Sequence, residues 1–239
     1  MSRITPPNPI EYRTPRNAGR TDSWDDIAYV LPMGIFLALT YVGGTWPNLY
    51  AASYVAKTIL AAVALIVFRH RYTKIRWNFW WLGIILGIVG VVQWVGMEHL
   101  LNHFVPRLWE PKVEAYNPFQ HFASPGARWS FIGLRWADAA LVVPFMEELF
   151  WRDYLWRSIS APSNFKLAEV GEPDWTALLL VSLVFCSVHV QWLTAIVWGL
   201  MIGLLLIFTR SLGACIIMHA VTNFLLGAWV LKSGDWKLW

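Results

Sequence analysis

Three short stretches place acid and base side chains inside strongly apolar sequence. They are Glu147-Glu148-Leu149-Phe150-Trp151-Arg152, Phe185-Cys186-Ser187-Val188-His189 and His219-Ala220-Val221-Thr222-Asn223. Ionisable groups at membrane depth are costly, so they mark functional sites. Each stretch is an i, i+4 repeat, which on a helix puts its end residues on one face. Together they offer two carboxylates, two imidazoles, an amide and a guanidinium, a set suited to activating water.

Spacing separates the two acids. Glu148 stands four residues before Arg152, the order that favours an ion pair along a helix. Glu147 is rotated by about 100° from Glu148 and lacks that partner. Glu147 is therefore expected to be the chemical group, with Glu148 and Arg152 as its support. The plainer reading is that both acids join an ion-pair network at the membrane edge. A single histidine in a span is as readily a hydrogen-bonded packing residue. Two of them, His189 and His219, on different helices and with a glutamate on a third, point towards a site. Asn223 shares a face with His219 and could donate to an oxyanion or complete a ligand set, or serve as glue between helices.

Two chemistries fit these residues. In one, His189 and His219 hold Zn²⁺ with Glu147 or Asn223 as a further ligand, and Glu147 activates the bound water. In the other there is no metal. Glu147 and His189 deprotonate water while His219 and Asn223 stabilise the tetrahedral oxyanion. The chain has no His-Glu-x-x-His run, the common zinc-protease helix. His99 and His103 are also four apart beside Glu98, but Leu100 stands where such a helix needs its glutamate. Asp138, about 13 Å before Glu147 along a helix, is a weaker candidate, for substrate entry or a helix pair. Cys186 and Cys215 lie in apolar runs and read as packing residues.

The elements that must carry these groups are membrane helices. Of 239 residues, 57% are hydrophobic and 14% charged, where a soluble domain carries about 25% charge. Apolar runs fall at about 27–45, 50–68, 79–101, 131–151, 176–192, 194–209 and 212–231, near the ~20 residues a span needs. The expected architecture is an all-α polytopic bundle of about seven transmembrane helices, six to eight. The sixth run is short and reads as a hairpin partner or half-span. The fourth has no breaker before Pro162, so its helix should continue past Trp156 and set Glu147 deeper. Many of the seventeen Trp suit headgroup level, but Trp94 and Trp198 sit inside runs and must pack between helices.

Residues 1–26, with four prolines and four arginines, read as a flexible cytoplasmic tail ahead of a single transmembrane domain, 27–239. The 102–130 loop, rich in proline and aromatics, reads as an ordered cap. Basic residues cluster in alternate loops, which predicts a cytoplasmic N-terminus in a prokaryotic inner membrane. The net charge of +4 sets orientation; no Gly-rich phosphate loop or basic–aromatic surface supports a nucleic-acid partner.

The ordered trio Glu-Glu-x-x-x-Arg, Phe-x-x-x-His and His-x-x-x-Asn resembles the CPBP (also called ABI) family of intramembrane endopeptidases, which includes the CAAX prenyl endopeptidases. The resemblance covers about residues 131–231. The layout also loosely resembles the prokaryotic CAAX prenyl protease-related subgroup associated with exosortase systems. The resemblance implies a helical bundle with a conical cavity, with Glu147, Glu148, His189, His219 and Asn223 in the active site and Arg152 structural. It implies a membrane-anchored or lipidated peptide substrate, and either a metalloprotease or a metal-free glutamate mechanism. Two other classes compete: a transporter or proton relay, which would spread charged groups along a path, and a non-catalytic scaffold of a sorting complex.

Overall fold

A backbone in lipid must satisfy its own hydrogen bonds, and each of the seven apolar runs is helical in the computed structural model of the chain. The structure describes residues 22–105 and 115–239. The expected tail before Asp22 and the centre of the 102–130 loop lie outside the described residues. The helices are α1 (Ser23–Thr45), α2 (Tyr50–Val67), α3 (Trp80–Phe104), a short α4 (Pro118–His121), a long α5 over 125–160, α6 (Trp175–Cys186), α7 (Trp192–Thr209) and α8 (Leu212–Ser233). Among the described residues there is no strand.

Five of these are long and apolar enough to cross a membrane: α1, α2 with the turn before it, α3, α7 and α8. Their outer faces expose large apolar side chains such as Val63, Ile66, Val92 and Phe208, while Trp94 and Trp198 are buried. The short element is the fifth run, not the sixth. The sixth forms an 18-residue helix, while α6 has 12 residues and stops at Cys186. Side chains compete for its last carbonyls. Ser187 Oγ donates to Val184 O (2.6 Å), and Cys186 Sγ lies 3.0 Å from Leu183 O.

The fourth run does continue past Trp156, to Ser160. At 1.5 Å per residue Glu147 lies about 20 Å from that end of the helix. The helix is not uniform. Two π-helical turns, Asp138–Val142 and Leu149–Leu155, flank the α-helical turn Val143–Glu148 that carries both glutamates.

Packing then fixes the helix that carries the third motif. α3 runs along α8, α1 along α2 and α6 along α7, with α5 threaded between α1, α2, α6 and α8. α3 and α8 touch through Gly83, Gly87 and Gly90, one face at i, i+4, i+7. A Cβ at Gly87 would stand 2.7 Å from Val221 Cβ and 2.9 Å from Met218 O, so only glycine permits this approach. Thr222 Oγ1 donates to Gly87 O (3.0 Å) and locks the register. His219 and Asn223 flank that contact on α8.

Candidate active site

The first π turn prepares a backbone acceptor. Val143 N–H bonds five residues back to Asp138 O, bypassing Ala139 O. The next donor in π geometry would be residue 144, a proline without an N–H. Asn223 Nδ2 fills the gap and donates to Ala139 O at 2.8 Å. A carbonyl can only accept, so this contact fixes the amide's orientation and leaves Oδ1 free. π turns recur at functional sites for this kind of reason.

His219 is held from the other side. Its Nδ1 lies 2.7 Å from Glu148 Oε1, and the same oxygen accepts from Arg152 Nη1 at 3.3 Å. Glu148 is 0% exposed and Arg152 1%. The Arg152 guanidinium also lies over the rings of Phe185 (4.7 Å) and Trp198 (5.7 Å). A carboxylate on Nδ1 sets the tautomer and turns Nε2 away from it. Glu148 therefore sits behind His219 and is not on the cavity wall.

His189 lies beyond the end of α6, not on its face as an unbroken helix would put it. The Phe-x-x-x-His spacing still works locally: the ring Nδ1 bonds Phe185 O at 2.9 Å, capping one of the helix's unpaired terminal carbonyls. Ring contacts with Phe185 and Trp94 fix its plane.

These groups meet at one cavity of about 280 Å³, lined by Glu147, His189, His219 and Asn223 with Trp94, Phe185, Trp198 and Thr222. Glu147 is 6% exposed, and its Oε2 has no hydrogen-bond partner among the described residues. Lys237, Leu238 and Trp239 also line the cavity, with Gln191 Nε2 donating to Lys237 O at 2.7 Å.

Residues 129–225 match the family model described as Rce1-like, type II CAAX prenyl endopeptidase. The match supports the CAAX protease (CPBP) family for this segment. No curated protein and no solved structure matches the chain. The matched segment contains all three motifs and the whole of α5 from Trp129 onwards. The family is one of intramembrane CAAX-type endopeptidases; with the five apolar helices, the match supports an integral membrane protein and indicates a protease. For the metal that the family resemblance implies, the donor set does not fit as it stands. Among the described residues no three His, Cys, Asp or Glu side chains group as ligands, so no step below runs through a metal.

The other sequence candidates lie elsewhere. Glu98 pairs with Thr194 Oγ1, and His99 lies 3.9 Å from Asp235. Asp138 is fully buried and interacts with Lys57, Tyr54 and Thr58 of α2, which makes it a helix-pairing residue. Cys215 is buried and Cys186 half-buried, both free. The sequence reading missed Lys57, a lone lysine in an apolar run. Its Nζ donates to Thr40 Oγ1 (3.2 Å) and lies over the rings of Phe36 and Tyr54. It also missed the buried network in which Asp153 accepts from Arg157 (2.5 Å), Tyr29 (2.8 Å) and Thr73 (3.2 Å), tying α1 and the α2–α3 loop to α5. In the sequence Arg157 is one of the basic residues after the fourth apolar run, and a partner distant in sequence leaves no local signal.

Proposed function

We propose that the chain hydrolyses a peptide bond near the membrane-anchored end of a lipidated or otherwise anchored peptide or protein. Glu147 takes a proton from water while His189 orients it. The water oxygen bonds to the carbonyl carbon, and the C=O pair moves onto oxygen. That pair returns as the C–N bond breaks, and the proton held by Glu147 passes to the departing amine. His219 and Asn223 position the water and the reacting carbonyl from the opposite wall. Glu148 and Arg152 hold His219. The carrying observation is that residues from all three motifs line one cavity, among them Glu147, whose Oε2 has no hydrogen-bond partner among the described residues.

The test uses purified full-length protein in lipid nanodiscs and an internally quenched peptide prenylated on a cysteine near its C-terminus. Cleavage that is lost in His189→Ala and His219→Ala supports the reading. Cleavage that persists in both overturns it. Retention of activity in excess chelator supports the metal-free route, whereas loss restored by added Zn²⁺ overturns that route. The alternate basic loops support a cytoplasmic N-terminus in a prokaryotic cell membrane. A C-terminal reporter that works only in the cytosol would contradict that orientation.

A further inference from the structure

The cavity wall includes a residue outside all three motifs and outside the family-matched segment: Trp94, on α3. Its side chain is 8% exposed, and its Nε1 is buried with no hydrogen-bond partner among the described residues. An indole N–H can only donate. Native proteins keep few buried donors without acceptors because each one is costly. The ring stands edge-on to His189, with centroids 5.8 Å apart and planes at 66°.

The motif residues leave the cavity short of donors. His189 Nδ1 is taken by Phe185 O and His219 Nδ1 by Glu148. With Nδ1 so engaged, each ring has only Nε2 left for a further partner. Asn223 has committed one amide hydrogen to Ala139 O. Hydrolysis, by contrast, builds negative charge on a carbonyl oxygen, and donors aimed at that oxygen are usually the largest catalytic contribution. Trp198 and Trp239 also line the cavity with unpartnered Nε1 atoms. A Cβ at Gly90 would lie 3.0 Å from Trp198 Nε1, which places that donor against α3. Trp239 stacks on Trp236 and under Arg135. Of the three, Trp94 is the one in ring contact with His189.

We propose that Trp94 is a further catalytic residue, whose indole N–H donates to the carbonyl oxygen of the scissile bond. The inference rests on the hydrolytic reading above. As water adds to the carbon, the C=O pair moves onto oxygen and the indole hydrogen bond shortens onto the alkoxide. When the C–N bond breaks and the amine takes the proton from Glu147, the pair returns and the bond relaxes. The donor has no protein acceptor among the described residues, so its hydrogen bond is available to the reaction and is not committed to the fold.

Trp94→Phe keeps a ring against His189 and deletes the donor. In full-length protein in nanodiscs, with the quenched prenylated peptide as probe, kcat is expected to fall roughly 10- to 100-fold. KM should stay within about twofold, the pattern of an interaction made only in the transition state. A modest fall in melting temperature is expected from the smaller ring in a buried position, and Trp94→Leu, which also lacks the donor, separates packing from hydrogen bonding. Replacing the scissile carbonyl oxygen by sulfur, a weaker acceptor, should slow wild type more than Trp94→Phe. An unchanged kcat, or equal thio effects in the two proteins, overturns the proposal. If instead Glu147→Gln cleaves the probe as fast as wild type, the hydrolytic reading itself has failed.

Discussion

Glu148→Gln separates the support of the site from its chemistry. Glu148 Oε1 serves two partners, Arg152 at 3.3 Å and His219 at 2.7 Å, with no solvent to replace it. The substitution keeps size and an acceptor oxygen but leaves the Arg152 charge buried and unpaired. Breaking a buried pair in this way costs about 3–5 kcal/mol. The Phe185 and Trp198 rings continue to solvate the guanidinium, a contribution of up to about 2 kcal/mol, so the loss should fall near the lower end, about 3 kcal/mol. Rate is affected separately. His219 loses a charged acceptor on Nδ1, and loss of an outer-shell partner of this kind lowers activity by roughly 10- to 100-fold, or about 1.4–2.7 kcal/mol in the barrier. The double substitution Glu148→Gln with Arg152→Met removes the orphan charge. It should recover most of the stability while the rate stays low. Thermal unfolding in detergent, followed by tryptophan fluorescence, reads the first quantity, and cleavage of the quenched peptide reads the second. A single variant as stable as wild type would refute the buried-pair argument. A double variant with full activity would refute the claim that Glu148 acts through His219.

Other perturbations test the scaffold. Gly87→Ala inserts a Cβ 2.7 Å from Val221 Cβ; it should force α3 from α8, cost about 1–3 kcal/mol and abolish cleavage by displacing His219, all checked by melting and activity on the same preparation. Asn223→Asp removes the amide donor to Ala139 O and should cost about 1–3 kcal/mol with a drop in kcat, measured against Asn223→Gln for partial rescue. Asp174→Ala removes the N-cap of α6, where the carboxylate accepts from Ala177 N (2.9 Å) and Ser160 Oγ (2.7 Å); the expected loss is about 0.5–2 kcal/mol. The Ala177 N–H, then the Ser160 hydroxyl, hold the Asp174 carboxyl below its ordinary 3.8. Its stabilisation is therefore complete above that value and is lost as pH falls through the lowered native one, so wild type and Asp174→Ala should converge in melting temperature in acid.

What the sequence revealed follows from the range of each interaction. The Glu148–Arg152 pair and the separate direction of Glu147 are readable because both depend on helical spacing within one turn. The continuation of α5 is readable because no breaker precedes Pro162. The engagement of Glu148 with His219 is not, since the partners are 71 residues apart and meet only when α8 packs. Asn223 was expected to serve an oxyanion or a metal, or to act as glue between helices, and its bond to Ala139 O joins α8 to α5. Its tie to Ala139 depends on a π turn whose one visible trace is Pro144. His189 was placed on a helix face because the run stays apolar, but Cys186, Ser187 and His189 all bond back to the backbone and end α6 early. Trp94 read as a packing residue because an indole's missing acceptor is visible only in three dimensions.

Glu147→Gln, assayed by single-turnover cleavage of the quenched prenylated peptide in nanodiscs, tests the central claim most directly. The exchange is nearly isosteric, and Oε2 has no partner to lose among the described residues, so the melting temperature should hold. The rate should fall roughly 10²- to 10⁴-fold, as expected for removal of a general base. Cleavage at the wild-type rate by a stably folded Glu147→Gln protein would contradict the account.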